Sequence, residues 1–149
     1  MNDDLNHFIS HWLAGLFTGL ECIGASSRET LLRACARGCA ASYTTRVFRE
    51  VYRESADTDA FLAGLAARFP EARYERVGSN AIRVRYIRCG CDWVTNGLTR
   101  SPRLCDCSRY NLEANFEGAL EMPVTVIREA SILEGEAECS FLVTPTGLI

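Results

Sequence analysis

Four cysteines in two close pairs, Cys89/Cys91 and Cys105/Cys107, are the residues whose type and spacing point most directly to chemistry. Each pair reads C-x-C, and thirteen residues separate the pairs, so the loop between them can bring four sulfurs together. Four thiolates suit tetrahedral zinc first and an iron–sulfur cluster second, because both favour soft sulfur donors. The spacing departs from the usual structural zinc site, which places two to four residues between paired cysteines. A second reading is nucleophilic or redox chemistry. Cys105 and Cys107 fall where a helix is expected to begin, and a helix N-terminus favours thiolate over thiol. Arg103 and Arg109 would strengthen that effect and Asp106 would oppose it, which makes Cys105 and Cys107 the candidate catalytic nucleophiles. A third reading packs the four cysteines as small apolar residues around a turn.

The other cysteines divide by position. Cys35 and Cys39 lie one helical turn apart on the side of Leu31, where a buried helix face is the first expectation and recruitment to the site the second. Cys22, near a helix end, is expected to be structural. Cys139 alternates with Phe141 and Val143 in the last strand and is either a core residue or a fifth metal ligand. His7 and His11 are spaced i, i+4, which can chelate a metal. Phe8-Ile9-Ser10 between them lacks the glutamate of an H-E-x-x-H metalloprotease, so a polar helix edge is expected instead. There is no G-x-S-x-G elbow and no glycine-rich nucleotide loop.

The elements that must position these residues change period halfway along the chain. Leu5, Phe8, Trp12, Leu13, Leu16, Phe17 and Leu20 recur at helical spacing as one stripe ending near Gly24. Ser26 and Glu29 have the spacing of a capping box for a second helix carrying Leu31, Leu32, Cys35 and Cys39. Helices are also expected over 45–54 and 58–69, the latter with Asp57 as N-cap and Pro70 as its stop. Residues 74–77 and 81–86 then read as a β-hairpin around Gly78-Ser79-Asn80, with Ile82, Val84 and Tyr86 on one face and Arg83 and Arg85 on the other, expected to be solvated. A helix opens at Cys105-Asp106-Cys107-Ser108 and ends before Pro123. A second hairpin, 124–133 and 137–143, turns at Glu134-Gly135-Glu136. The expected architecture is one α+β domain over 1–149, with N-terminal helices packed on a four-stranded antiparallel sheet of ββαββ order.

Composition bounds the function. The chain has 149 residues, enough for one domain that buries about 70% of its unfolded surface. A net charge of −3 argues against nonspecific nucleic-acid binding. All 16 basic residues are arginine, so Schiff-base chemistry, an internal pyridoxal phosphate lysine and a Walker A loop are excluded. The acidic N-terminus lacks the positive region of a secretory signal, and the apolar run from Trp12 to Leu20 is too short to span a bilayer. A cytoplasmic location without membrane contact is expected, where eight cysteines serve as ligands, thiols or apolar residues rather than disulfides.

Taken together, Cys105-Asp106-Cys107-Ser108 through Phe116, Pro123-Val124, Ser131-Ile132-Leu133-Glu134-Gly135 and Cys139-Ser140-Phe141 resemble an uncharacterised bacterial family of small cysteine-rich proteins. That family is similar in turn to L-2-amino-thiazoline-4-carboxylic acid hydrolase-like proteins. Leu31-Leu32-Arg33-Ala34-Cys35-Ala36-Arg37-Gly38-Cys39-Ala40 looks like its N-terminal signature. The end of the chain also resembles the 4-vinyl reductase-type domain, a small-molecule-binding module that can hold zinc through a glutamate, a cysteine three residues on and a second cysteine eight further. With Cys139 as the last of these, Arg128 and Ser131 stand at the other two positions, so two of the three ligand types are replaced. The resemblance implies a helix-covered sheet enclosing a ligand pocket. The expectation is therefore a small-molecule-binding or sensor-like domain, compatible with a homodimer, whose cysteine-rich site binds zinc through Cys89, Cys91, Cys105 and Cys107, with Cys139 as an added ligand. The alternatives are a thiol-dependent hydrolase of small cyclic or amide substrates and a thiol redox protein.

Overall fold

Helix α6 (Arg103–Leu120) is the element around which the others assemble, because its sequence supplies apolar side chains to two sides. Leu112, Phe116, Ala119 and Leu120 join one buried cluster with residues of the sheet and of two flanking helices. Tyr110 and Cys107, on another side, join a second cluster with Leu20, Leu32 and Ala36. The computed structural model describes residues 2–147. Its elements run α1 (Asp3–Cys22), α2 (Ala25–Ser42), α3 (Thr44–Glu54), α4 (Thr58–Arg68), β1 (Ala72–Val77), β2 (Ala81–Tyr86), the short α5 (Asp92–Thr95), α6, β3 (Val124–Ala130) and β4 (Cys139–Pro145). A 3-10 turn, Ile132–Glu134, lies between the last two strands. The architecture is the expected α+β arrangement of helices on a four-stranded antiparallel sheet, in the order β1-β2-β4-β3.

The core explains why these elements hold together. Val47, Phe48 and Val51 from α3, Phe61, Leu62 and Leu65 from α4, and Leu112 and Phe116 from α6 cover one face of the sheet against Ile82, Val84, Val126, Phe141 and Val143. Phe116 meets Phe48 edge-on at 5.3 Å and Phe61 at 6.1 Å between ring centroids. Such aromatic pairs add about 0.5–1.5 kcal/mol beyond their buried area. Asn115 is buried beside them. Its Oδ1 accepts from the hydroxyls of Thr44 (3.0 Å) and Thr45 (2.8 Å), and its amide donates to Asn111 at 2.9 Å, which ties α6 to the start of α3. Gly118 lets α6 and α3 approach closely, since a Cβ there would collide with the Thr45 methyl.

Three local expectations are corrected. Ser26 does not cap α2, which starts one residue earlier with Gly24 at its N-cap. The junction is held instead by Arg28, which donates to the carbonyls of Leu20 (2.7 Å) and Ile23 (3.2 Å). Strand β3 stops at Ala130 rather than reaching Leu133, because its register with β4 slips between Arg128 and Ala130 and the chain then turns, with Gly135 at φ 97°. The apolar stripe of α1 splits in two: Leu13 and Leu20 are buried, whereas Leu5, Phe8 and Trp12 face away from the domain. Asp57 does cap α4, accepting from the Ala60 amide at 2.8 Å, and α4 ends before Pro70. Arg83 and Arg85 lie on the sheet's open face and are paired rather than simply solvated, Arg83 with Glu129 through two hydrogen bonds (2.8 and 3.1 Å) and Arg85 with Glu75 at 2.5 Å.

Replacing Phe116 by Ala removes the ring that both α3 and α4 pack against. The expected loss is about 3–5 kcal/mol in urea unfolding, with Phe116→Leu losing clearly less.

Candidate functional site

The topology gathers four chain segments at one end of the sheet: the exit of β2, the exit of β3, the start of β4 and the first turn of α6. Tyr86, the last residue of β2, pairs in register with Cys139, the first of β4. Ser131 follows β3, and Cys105 sits in the opening turn of α6. Cys105, Cys139 and Ser131 are all buried. The Cys105 sulfur lies 2.8 Å from the Ser131 hydroxyl, and the Ile132 amide donates to the Cys139 sulfur at 3.3 Å.

This surrounding makes Cys105 an unusual thiol. Its pKa is pulled down to about 6, first by a hydrogen bond from Cys139, against the opposing effect of burial, and then by Ser131 and by the charge and hydrogen bonding of Arg128. Cys139 moves up, because it serves as the donor to Cys105 and is itself buried. The pair shares one negative charge, held by Cys105. Arg128 comes from β3 and has a buried Nη1 without a regular hydrogen-bond partner, while its Nη2 bonds Glu134 at 3.2 Å. A chain of ion pairs leads outward: Arg128–Asp106 at 3.7 Å, Asp106–Arg103 at 3.3 Å, and Arg103 to Glu21 through two bonds of 2.5 and 3.0 Å. Each half-exposed pair contributes little to stability by itself. Together they fix Arg128 and connect the site to α1.

Cys107 has the opposite fate. Two residues beyond Cys105 on a helix, it points to α2, where it packs on the cluster of Leu20, Leu32, Ala36 and Tyr110. Its pKa is pushed up to about 12 by burial and by Cys39, Cys91, Cys35 and Asp106. Burial also raises Cys91 and Cys39, the latter with a further push from Asp92. Cys35 and Cys39, expected on a buried helix face, stay substantially exposed on α2, because Leu32, Ala36 and Ala40 take the inner face instead; with Cys91 and Cys107 they form a thiol neighbourhood between α2, α5 and α6, separate from the Cys105 pair. Cys89 lies between the two, close enough to influence both Cys91 and Cys139.

The proposed metal set of Cys89, Cys91, Cys105 and Cys107 is therefore divided, with Cys105 and Cys107 on different sides of α6. Among the described residues no three of His, Cys, Asp and Glu are gathered closely enough to hold a metal ion. At the Cys105 end the donor set suits zinc poorly: two thiols, one hydroxyl and a guanidinium whose charge repels a dication. His7 and His11 lie side by side on α1, with ring centroids 4.4 Å apart and the rings tilted by 58°. The two best-defined hollows among the described residues are open grooves on the outer surfaces, one of about 480 Å³ along α2 lined by Arg33 and Arg37, the other of about 280 Å³ between α3 and α4. Neither reaches the cysteines. No helix among the described residues is long and apolar enough to cross a membrane.

Sequence reasoning undervalued Arg128 and Ser131, which entered only as replaced ligand positions. Their signal was the spacing to Cys139, and the structure brings all three to one point with Cys105.

Comparisons with known proteins bear on the fold. No model of a protein family matches the chain, and no curated protein matches it. Among solved structures, the chain is similar to the phenol-responsive sensory domain of the transcription activator PoxR, with a TM-score of 0.58 at 10% identity, over 95% of this chain and 73% of that one. It is also similar to an H-NOX protein from S. oneidensis, with a TM-score of 0.52 at 13% identity, over 90% of this chain and 73% of that one. The chain thus shares its fold with the PoxR sensory domain and with an H-NOX protein.

The Cys105 environment makes a signed prediction. An unfolded thiol titrates near pH 8.5. With Cys105 deprotonated down to about pH 6 in the folded state, the unfolded chain binds more protons between those values, so its contribution to stability is complete above about pH 8.5 and is lost as pH falls through 6. Cys139, Cys107, Cys91 and Cys39 shift upward and reverse the slope above about pH 8.5. Ultraviolet thiolate absorbance should show one midpoint near pH 6 that Cys105→Ser removes and Arg128→Met moves toward the ordinary thiol range.

Proposed function

We propose that this chain is a small-molecule-responsive sensory domain whose reactive centre is the Cys105 thiolate. The observation that carries the reading is the buried group of Cys105, Cys139 and Ser131 with the half-buried Arg128 beside it. The likeness to the PoxR sensory domain and to H-NOX proteins supports a sensory role through the fold. The chemistry of the site favours soft electrophiles and peroxides, because a low-pKa thiolate is the form of cysteine that reacts with such species. With peroxide, the Cys105 thiolate attacks one oxygen, the O–O bond breaks, hydroxide leaves, and a sulfenic acid forms. The Cys139 thiol then displaces water from that sulfur, giving a Cys105–Cys139 disulfide; two thiols are oxidised and one peroxide is reduced to two waters. Closing that bond shifts the start of β4 against the start of α6, which is a route from chemistry to conformation.

Sensing is favoured over turnover by the company Cys105 keeps. The residues acting on it hold negative charge, but an arginine does not shuttle protons to a leaving group at neutral pH. A thiol-dependent hydrolase would use the same nucleophile and need a proton donor beyond those named. The zinc reading through Cys89, Cys91, Cys105 and Cys107 makes a different experimental statement: stoichiometric metal, and thiols protected until a chelator removes it.

Purified, reduced protein treated with substoichiometric hydrogen peroxide should lose the mass of two hydrogens, and peptide mapping should place the bond at Cys105–Cys139. Arg128→Met, which removes the positive charge beside Cys105, should lower the rate of that reaction below neutral pH, where the thiolate fraction falls most. Oxidation spread evenly over the eight cysteines, or stoichiometric zinc or iron by elemental analysis, would sink the reading.

A further inference from the structure

Helix α1 carries two apolar stripes, and only one has a partner within the chain. Leu13 and Leu20 are buried against the domain. The other stripe consists of Leu5, Phe8, Trp12, Gly15, Gly19 and Cys22, spaced 3, 4, 3, 4 and 3 residues apart, which is the a/d spacing of a coiled-coil seam. All six are exposed, Leu5 at 46%, Phe8 at 63% and Trp12 at 59%. The two glycines have no explanation inside the chain. A Cβ at Gly15 or Gly19 would meet nothing within 4 Å, yet glycine is the poorest helix former apart from proline. Small residues in mid-helix, with open space above them, mark a place where something outside comes close.

We infer that this face pairs with the same face of a second copy of the chain, the two α1 helices running antiparallel about a twofold axis beside residues 13 and 14. The argument is self-complementarity. An antiparallel pair about that axis matches residue i with residue 27 − i, and the six seam positions map onto themselves. Phe8 falls opposite Gly19, Trp12 opposite Gly15, and Leu5 opposite Cys22, so every layer sets one large side chain over a small one. An isologous dimer requires this kind of self-match, and an unrelated partner does not. Charge agrees. Residues 5–20 carry no Asp, Glu or Arg, so the seam is uncharged. At its ends, Asp3 and Asp4 of one copy come to the C-terminal end of the other's α1, where the Arg28 guanidinium sits on the carbonyls of Leu20 and Ile23. The antiparallel helix dipoles add in the same sense. Leu5, Phe8 and Trp12 leave roughly 350 Å² of apolar surface per chain in water. With the glycine-lined backbone opposite also covered, the pair approaches the roughly 1,000 Å² total that a specific interface needs. The pairing would also join the two thiol centres, since Glu21 on α1 holds the Arg103 that leads to Arg128.

Sedimentation velocity of the full chain over a concentration series tests this. The expected result is a monomer–dimer equilibrium with a dissociation constant of about 10 µM or tighter. Gly15→Leu and Gly19→Leu should each weaken it at least about tenfold by filling the hole, although both add apolar surface and helix propensity. Under mild oxidation Leu5→Cys should give a covalent dimer through Cys22, lost when Cys22→Ser is added. A chain that stays monomeric at about 100 µM overturns the proposal. So do glycine variants that associate as tightly as the parent, which is the behaviour of a face made for lipid, for another protein or for nonspecific adhesion. Absence of the Leu5–Cys22 cross-link in a chain that does dimerise overturns the antiparallel register.

Discussion

The structure depends on burying α6 on two sides at once. One side closes the sheet core through Phe116 and Leu112, and the other receives α2 and the inner stripe of α1 through Tyr110 and Cys107. This constraint sets the angular position of every residue on the helix. Cys105 and Cys107 are therefore turned apart, one toward the strand ends and the other toward α2. An i, i+2 pair that looks like a chelating unit in sequence is separated by helical geometry, since residues two apart do not share a helix face. The separation of the Cys105–Cys139 pair from Cys107, Cys91 and Cys39, whose pKa values burial moves up, follows from this placement.

Electrostatics then decides which sulfur is reactive. Burial alone raises a thiol pKa, and Cys107, Cys91 and Cys39 behave that way. Cys105 is buried too, yet three hydrogen-bonding neighbours and one positive charge outweigh desolvation. Arg128 and Ser131, eleven and eight residues before Cys139, bring a guanidinium and a hydroxyl to the cysteines, and neither is a soft metal donor. A fixed guanidinium in that position balances one thiolate instead of organising several.

The conformational side of the proposal rests on where these residues sit. Cys105 and Cys139 open α6 and β4, the two elements that carry most of the core's central contacts, while Ser131 lies in the turn left by the slipped register of β3. Small displacements of well-packed elements are not absorbed locally, because close-packed interiors transmit strain. The ion pairs from Arg128 to Glu21 supply a path from that end of the sheet to α1.

Much of the fold was legible in the sequence, since periodicity reports burial directly: four helices, two hairpins, the Asp57 cap and the stop at Pro70 all follow from local pattern. The composition alone excludes lysine chemistry, and the density of cysteines marks the molecule as thiol-rich. Local pattern failed where a side chain reached across a junction, as at Ser26, where Arg28 rather than a serine holds the end of α1 to the start of α2. It also failed where one apolar stripe served two partners, as on α1. Cys105 and Cys107 were both candidate nucleophiles in the sequence, and which of the two is acidified was beyond sequence reading for a deeper reason. Cys105, Arg128, Ser131 and Cys139 are spread over 35 residues, in three elements and a turn, and their chemistry arises from proximity and burial, which no short-range pattern encodes. The sequence determined that there would be thiols, helices and a half-covered sheet; only the tertiary structure decided which thiol meets an arginine in a buried place, because a pKa is set by what surrounds a group in space.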